Sequence, residues 1–268
     1  LLVGRQIASY FEGANAWLYY ADRLYQLPLG VVGVAIGIVL LPDLSRRLRI
    51  GDEAGGQEAF NRAAELSLLL TIPCTVALVV IPSALVSVLF ERGAFVASDT
   101  QATALATAIY GLGLPAFVLQ KLYQSVFFAR ENTKSPFNFA LVALVVNAVV
   151  AIGLSQYVGF TAAAYGATCA GWAMLACLWW GAQRFGPAAS WDAQLRKRSF
   201  RILLASLVMG AVVWITARAL EPVLQMVGLR LLGLAVILGV AGLSYALAGR
   251  LLGAFSLAQL RQMIRRAD

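Results

Sequence analysis

Apolar residues in this chain gather into seven long blocks separated by shorter polar breaks. The blocks cover about residues 14–41, 64–90, 101–128, 136–155, 161–183, 200–220 and 224–252. Each approaches the ~20 residues that a helix needs to cross a bilayer. None shows the ~10-residue alternation of a membrane β-barrel strand, so an outer-membrane barrel is excluded. The pattern predicts an all-α polytopic membrane bundle of seven helices, preceded by a stub, Leu1–Glu12, that reads as the end of a further helix. Pro28, Pro73 and Pro82 fall inside blocks and are expected to bend their helices, because proline lacks the amide proton and clashes with the preceding turn. Gly30, Gly33 and Gly37 put small residues on successive turns of the first span, as close helix contact requires. The polar stretch SRRLRIGDEAGGQEAFNR reads as a loop with a short surface helix, and QYVGF as a hairpin. Asp99 or Thr100 is placed to cap the third span, and Pro136 suits the first turn of the fourth. The chain's last residues set Leu257, Leu260 and Ile264 on one helical face with arginines opposite, as in a helix lying on a membrane surface.

Seven crossings alternate sides, so the placement of charge tests the pattern. One set of breaks and the C-terminus hold Arg46, Arg47, Arg49, Arg62, Arg130, Lys134, Arg184, Arg196, Lys197, Arg198, Arg201, Arg250, Arg261, Arg265 and Arg266. The opposite set holds Arg92, Arg218 and Arg230, with Arg5 in the stub. Lys and Arg collect in cytoplasmic loops, which puts the richer side and the C-terminus in the cytoplasm. The net charge of +8 is thereby explained without a nucleic-acid partner.

Composition agrees. Of 268 residues 60% are hydrophobic and 13% charged, against roughly 25% charged in soluble domains. The chain has no histidine, which excludes histidine acid/base chemistry and histidine metal sites. Cys74, Cys169 and Cys177 lie in apolar blocks at no zinc spacing and read as small packing residues without disulfides. No Walker A pattern, paired catalytic carboxylates or nucleophile elbow is present, so no cofactor or covalent chemistry is expected. Leu1 is not a methionine, and LLVGRQIASYF lacks the charged and apolar regions of a signal peptide. The sequence reads as a fragment.

Two side chains break the apolar rule. Asp22 and Arg23 stand side by side in the first span, Asp22 roughly 12 Å from its start at ~1.5 Å per residue. Charge at that depth is expensive and normally faces protein or a watery cavity along a substrate path. Neighbours on a helix point about 100° apart, so the two do not pair face to face. A guanidinium facing a cavity offers a planar fork for phosphate oxygens. Lys121, inside the third span, is weaker evidence because its stem can snorkel. Trp17, Tyr19 and Tyr20, like Trp179 and Trp180, read as interfacial aromatic belts in preference to ligand-stacking groups.

The stretch WLYYADRLYQLPLGVVGVAIGIVLLPDLS resembles the signature helix of the MurJ/MviN lipid II flippases, relatives of the MATE exporters. LFERGAF followed by DT, and QKLYQSVFFARENTKSP, resemble two further family segments in the right order. The resemblance implies fourteen spans in the complete protein, of which this chain matches the end of the seventh and the eighth to fourteenth. Residues 1–185 would be the second six-helix lobe and 186–268 two additional helices with the amphipathic tail. It further implies movement of lipid II, the lipid-linked peptidoglycan precursor, across the bacterial inner membrane by alternating access. Arg23 would contact the pyrophosphate, with Asp22 and Lys121 also at the substrate site. The last two helices would help form a groove for the polyprenyl tail, and membrane lipids and the missing N-terminal lobe would be the other partners. Some family members bind sodium through the spans matching the fourth and fifth here. Asn147 and Thr168 occupy such positions, whereas Ala151 stands where those members carry an acid. Two other readings stay open on the residues alone: a related exporter of drugs or other lipid-linked saccharides, and a non-transporting scaffold for cell-wall enzymes.

Overall fold

A computed structural model describes residues 4, 6, 8–35, 41–226 and 228–254. The described residues are helical almost throughout. Helices α1 (Ala14–Ala35), α2 (Leu41–Arg49), α3 (Glu53–Val80), α4 (Pro82–Phe90), α5 (Ala97–Ala129), α6 (Lys134–Val158), α7 (Ala162–Ala182), α8 (Ala193–Ala219), α9 (Glu221–Gln225) and α10 (Arg230–Leu251) follow one another. Stretches 53–80, 97–129, 134–186, 193–219 and 230–251 are long and apolar enough to cross a membrane. The third contains two crossings, because Gly159 turns the chain at φ 61°, ψ −137°, a conformation open essentially to glycine. Helices α6 and α7 therefore form a hairpin. Helix α1, at 22 residues, has the length of a crossing, but Asp22 and Arg23 lower its hydropathy. With it, a helix stands at each of the seven expected crossings among the described residues, and the fold is a polytopic helical membrane bundle.

Helix α5 is the centre. It packs against α1, α3, α4 and α7, while α6 lies outside α7. Leu114, Leu122, Val126 and Phe127 of α5 are fully buried, and they share one core with Phe60 and Leu68 of α3 and Leu178 of α7. Helix α8 packs on α3, and α10 on α8, where Ile81, Met209, Val213 and Ile237 form a separate cluster. Gly210 admits Val76 here: a Cβ on it would lie 2.6 Å from that side chain.

The ends of elements differ from the sequence expectation where helix and hydrocarbon boundaries part company. Residues Glu53 to Arg62, expected outside the membrane as loop and surface helix, are the first turns of α3, capped by the Asp52 side chain accepting from Gly55 N at 2.8 Å. The basic run Arg196–Arg198 likewise belongs to the start of α8, capped by Asp192. Glu, Gln, Lys and Arg are good helix formers, so a helix continues past the lipid. Pro82 opens α4 after a break at Ile81 (φ −126°, ψ 39°), whereas Pro28 and Pro73 lie within unbroken helices. Asp99 is not the cap residue of α5. That position is Val96, whose amide donates to Asp99 Oδ2 at 2.9 Å, and the Thr100 hydroxyl donates to Glu91 at 2.7 Å. The seventh crossing starts at Arg230, after the separate short α9. Gly30 faces open space and Gly33 meets a side chain instead of a helix backbone; Gly37 and the amphipathic tail lie outside the described residues. Cys74 and Cys177 are half-buried and Cys169 is exposed, all three as free thiols.

Links between distant segments join what alternation places at one end. At one end Arg130 pairs with Glu53 at 3.1 Å, Gln57 donates to Ser190 at 2.9 Å, and Arg198 pairs with Glu65 at 2.6 Å. At the other, Trp17 donates to Asp99 at 2.7 Å and Arg230 pairs with Glu91 at 3.3 Å.

Candidate functional site

Helix α1 has two faces. Ala14, Leu18 and Ala21, at i, i+4 and i+7, are buried against Ala106, Ile109 and Tyr110 of α5 and Ala163 and Ala164 of α7. That spacing is the stripe by which a helix docks. Tyr19, Arg23, Gln26 and Leu27 lie on the other face and are exposed. Docking through small alanines thus fixes which way the charged pair points.

Arg23 turns outward, as 100° per residue demands once Asp22 is set at the edge of the interface. Its Nη2 donates to the Tyr19 hydroxyl at 2.7 Å, and its guanidinium carbon lies 4.8 Å from the centre of the Tyr19 ring. Asp22 is half-buried. It accepts from Gln26 Nε2 and lies beside the Tyr25 phenol. Tyr25 in turn stacks on Tyr110 and Phe117 of α5, with ring centres 5.2 and 5.5 Å apart. Neither charge forms an ion pair with a described residue. Each is held by a neighbour four residues along its own helix, the spacing at which helix side chains meet. Tyr19, which the sequence assigns to an aromatic belt, and Gln26, which it does not single out, are functional candidates. The signal for both was that four-residue spacing.

Lys121 is exposed on α5, and its stem lies over Gly33 of α1. A Cβ on Gly33 would stand 3.0 Å from its Cδ and 3.2 Å from its Cε. Gly33 is about 16 Å along α1 from Asp22 at ~1.5 Å per residue, and about 20° from it around the axis. Lys121 therefore shares Asp22's side of α1 but not its turn. The aromatic residues divide as well: Trp17 bonds Asp99 and packs edge-on against Phe160, and Tyr20 packs on Phe90 and Phe95. Trp179 and Trp180 are exposed.

Asn147 and Thr168 are both buried and face different neighbours. The Thr168 hydroxyl donates to Ile109 O of α5 at 2.9 Å. The α6 backbone at Asn147 and Ala151 abuts Gly166 of α7, where a Cβ would meet Asn147 O at 2.9 Å. Asn147 Oδ1 has no hydrogen-bond partner among the described residues.

The model of the family described as lipid II flippase MurJ matches residues 1–255. The chain belongs to the MurJ family. It is similar to the probable lipid II flippase MurJ of Rhizobium tropici, with 40% identity over 99% of this chain and 50% of that protein. The corresponding protein of Rhizobium meliloti (strain 1021) is 38% identical over 99% of this chain and 50% of its own length. The chain thus spans about half the length of the curated relatives it matches. A solved structure of lipid II flippase MurJ in an inward closed conformation shares the fold, with a TM-score of 0.76 and 24% identity over 93% of this chain and 49% of that one. In this MurJ-family chain Asp22 and Arg23 lie in the matched region, on a helix docked by one face and open on the other.

Proposed function

We propose that the chain forms half of a transporter that moves lipid II from the inner to the outer leaflet of the bacterial inner membrane by alternating access. The observation that carries this reading is the state of Arg23: a guanidinium inside a crossing helix, exposed, with no carboxylate of a described residue against it. Such a charge is tolerated where it meets water or an anionic ligand, and its planar fork matches phosphate oxygens. Arg23 is the pyrophosphate contact. Asp22, engaged by Gln26, does not pair with that fork and leaves its donors open. Lys121 adds a second cationic point nearer the cytoplasmic end.

Residues 1–185 act as the second lobe and 186–268 as the additional pair whose sparsely charged spans border the polyprenyl tail. The rest of the full-length protein supplies the opposite wall, and the C-terminus is cytoplasmic, on the side of the basic loops. The substrate is moved and not chemically altered, so the protein works as a transporter and not as an enzyme. Asn147 and Thr168 are the residues for a coupling ion if sodium drives the cycle; a proton or the membrane potential is the other source.

Arg23→Ala in the complete protein, expressed at the wild-type level, is expected to fail to complement a flippase-depleted strain and to let lipid II accumulate. Normal growth of that variant would overturn the assignment.

A further inference from the structure

We propose that Tyr19 is a second anion-binding residue, which donates its phenolic proton to the same pyrophosphate that Arg23 contacts; its role rests on that reading of Arg23. A phenol has one proton and two lone pairs. In Tyr19 a lone pair accepts from Arg23 Nη2 at 2.7 Å, and the proton goes to no described acceptor. The residue is 49% exposed, on the face that carries Arg23. Because the hydroxyl touches the guanidinium, its proton and the unused N–H groups of Arg23 can reach oxygens of one phosphate group.

The ring has a separate task. Arginine carries a long, rotamer-rich side chain whose ordering costs free energy when a ligand binds. The Tyr19 ring, 4.8 Å from the guanidinium carbon, holds that side chain beforehand through a cation–π contact. It is itself braced. Tyr19 packs edge-on against Tyr20, with centres 6.0 Å apart, and Tyr20 is seated on Phe90 and Phe95 at 4.8 and 5.3 Å. The support thus runs from the α4 end of the bundle through two tyrosines to the arginine.

The test uses the complete protein in detergent, with undecaprenyl pyrophosphate as the charged probe and undecaprenol as the uncharged one. Tyr19→Phe keeps the ring and loses the hydroxyl. It is expected to bind the pyrophosphate roughly ten-fold more weakly, as loss of a hydrogen bond to a charged group implies. Tyr19→Leu, which also removes the ring, should lose a further few-fold. Affinity for undecaprenol should be unchanged in both. Wild-type affinity of Tyr19→Phe for the pyrophosphate would overturn the proposal, as would equal losses for the two probes, which mark a purely structural role. Arg23→Ala in the same assay keeps the two assignments apart. If it loses the pyrophosphate while Tyr19→Phe does not, only Tyr19's part falls; if it binds normally, the reading of Arg23 falls with it.

Discussion

Two arginines in this bundle show how the same side chain serves different ends. Arg198, at the start of α8, places Nη1 at 2.6 and 2.7 Å from the two carboxylate oxygens of Glu65 on α3, and both side chains are about four-fifths buried. Arg23, on α1, has no carboxylate partner among the described residues and rests on a tyrosine of its own helix. Arg230 sides with Arg198: it joins α10 to Glu91, which also accepts from Thr100. Charges that meet a counter-charge on another segment hold the bundle together, here fastening the last two crossings to α3 and to Glu91 just after α4. A charge held only within its own helix spends nothing on tertiary structure, and its remaining donors stay available. Burial with a partner marks structure; exposure without one, at membrane depth, marks a site.

The comparison breaks most readily at Arg198. Arg198→Leu strands Glu65 at a buried interface, which costs about 3–5 kcal/mol for a broken buried pair. Thermal unfolding of the complete protein in detergent should show a large loss, and Glu65→Leu combined with Arg198→Leu should recover most of it. A single variant as stable as the wild type would remove the contrast with Arg23, whose replacement by alanine should leave stability within about 0.5 kcal/mol, as for surface positions.

That contrast was only half legible in the sequence. Asp22, Arg23 and Lys121 stand out as charges inside apolar blocks, and the cost of burying charge makes such residues visible without a structure. Glu65 and Arg198 do not stand out. They are 133 residues apart at the edges of their blocks, and nothing local says that two such edges meet. Span order was legible for the same reason that the lipid needs it: hydrocarbon thickness sets the block length. Span ends were not, since the helix of Glu53–Val80 begins well before the apolar block at Ala64, and hydropathy reads the lipid boundary alone. Gly33 shows a third limit. A small residue at helical spacing invites a neighbour, but spacing cannot say whether a backbone or, as here, the stem of Lys121 accepts.

Thr168 gives a smaller and sharper test of the rule. Its hydroxyl has a partner on another helix, Ile109 O of α5, so it should behave like Arg198 on a reduced scale. Thr168→Val keeps the shape and removes one neutral hydrogen bond, worth about 1 kcal/mol, partly because Ile109 O already serves its own helix. The expected result is a modest fall in thermal stability. A transport rate that also drops in sodium buffer but not in sodium-free buffer would add the ion-ligand role open to this residue when sodium drives the cycle; unchanged stability would break the rule for neutral groups.

The smallest effect is expected at Gly33. An added Cβ would overlap the Lys121 ammonium and crowd Cδ at 3.0 Å, yet what it meets is the far end of a flexible chain, which can swing aside. Ala is also the better helix former, by roughly 1 kcal/mol relative to Gly. Gly33→Ala should therefore leave the fold unharmed or slightly more stable while moving the ammonium off α1. If Lys121 is a free cation of the Arg23 kind, transport should weaken a few-fold with stability intact. If stability falls and transport per folded molecule does not, Lys121 is packing against α1 as Arg198 packs against α3, and Arg23 is the sole open charge of the pair.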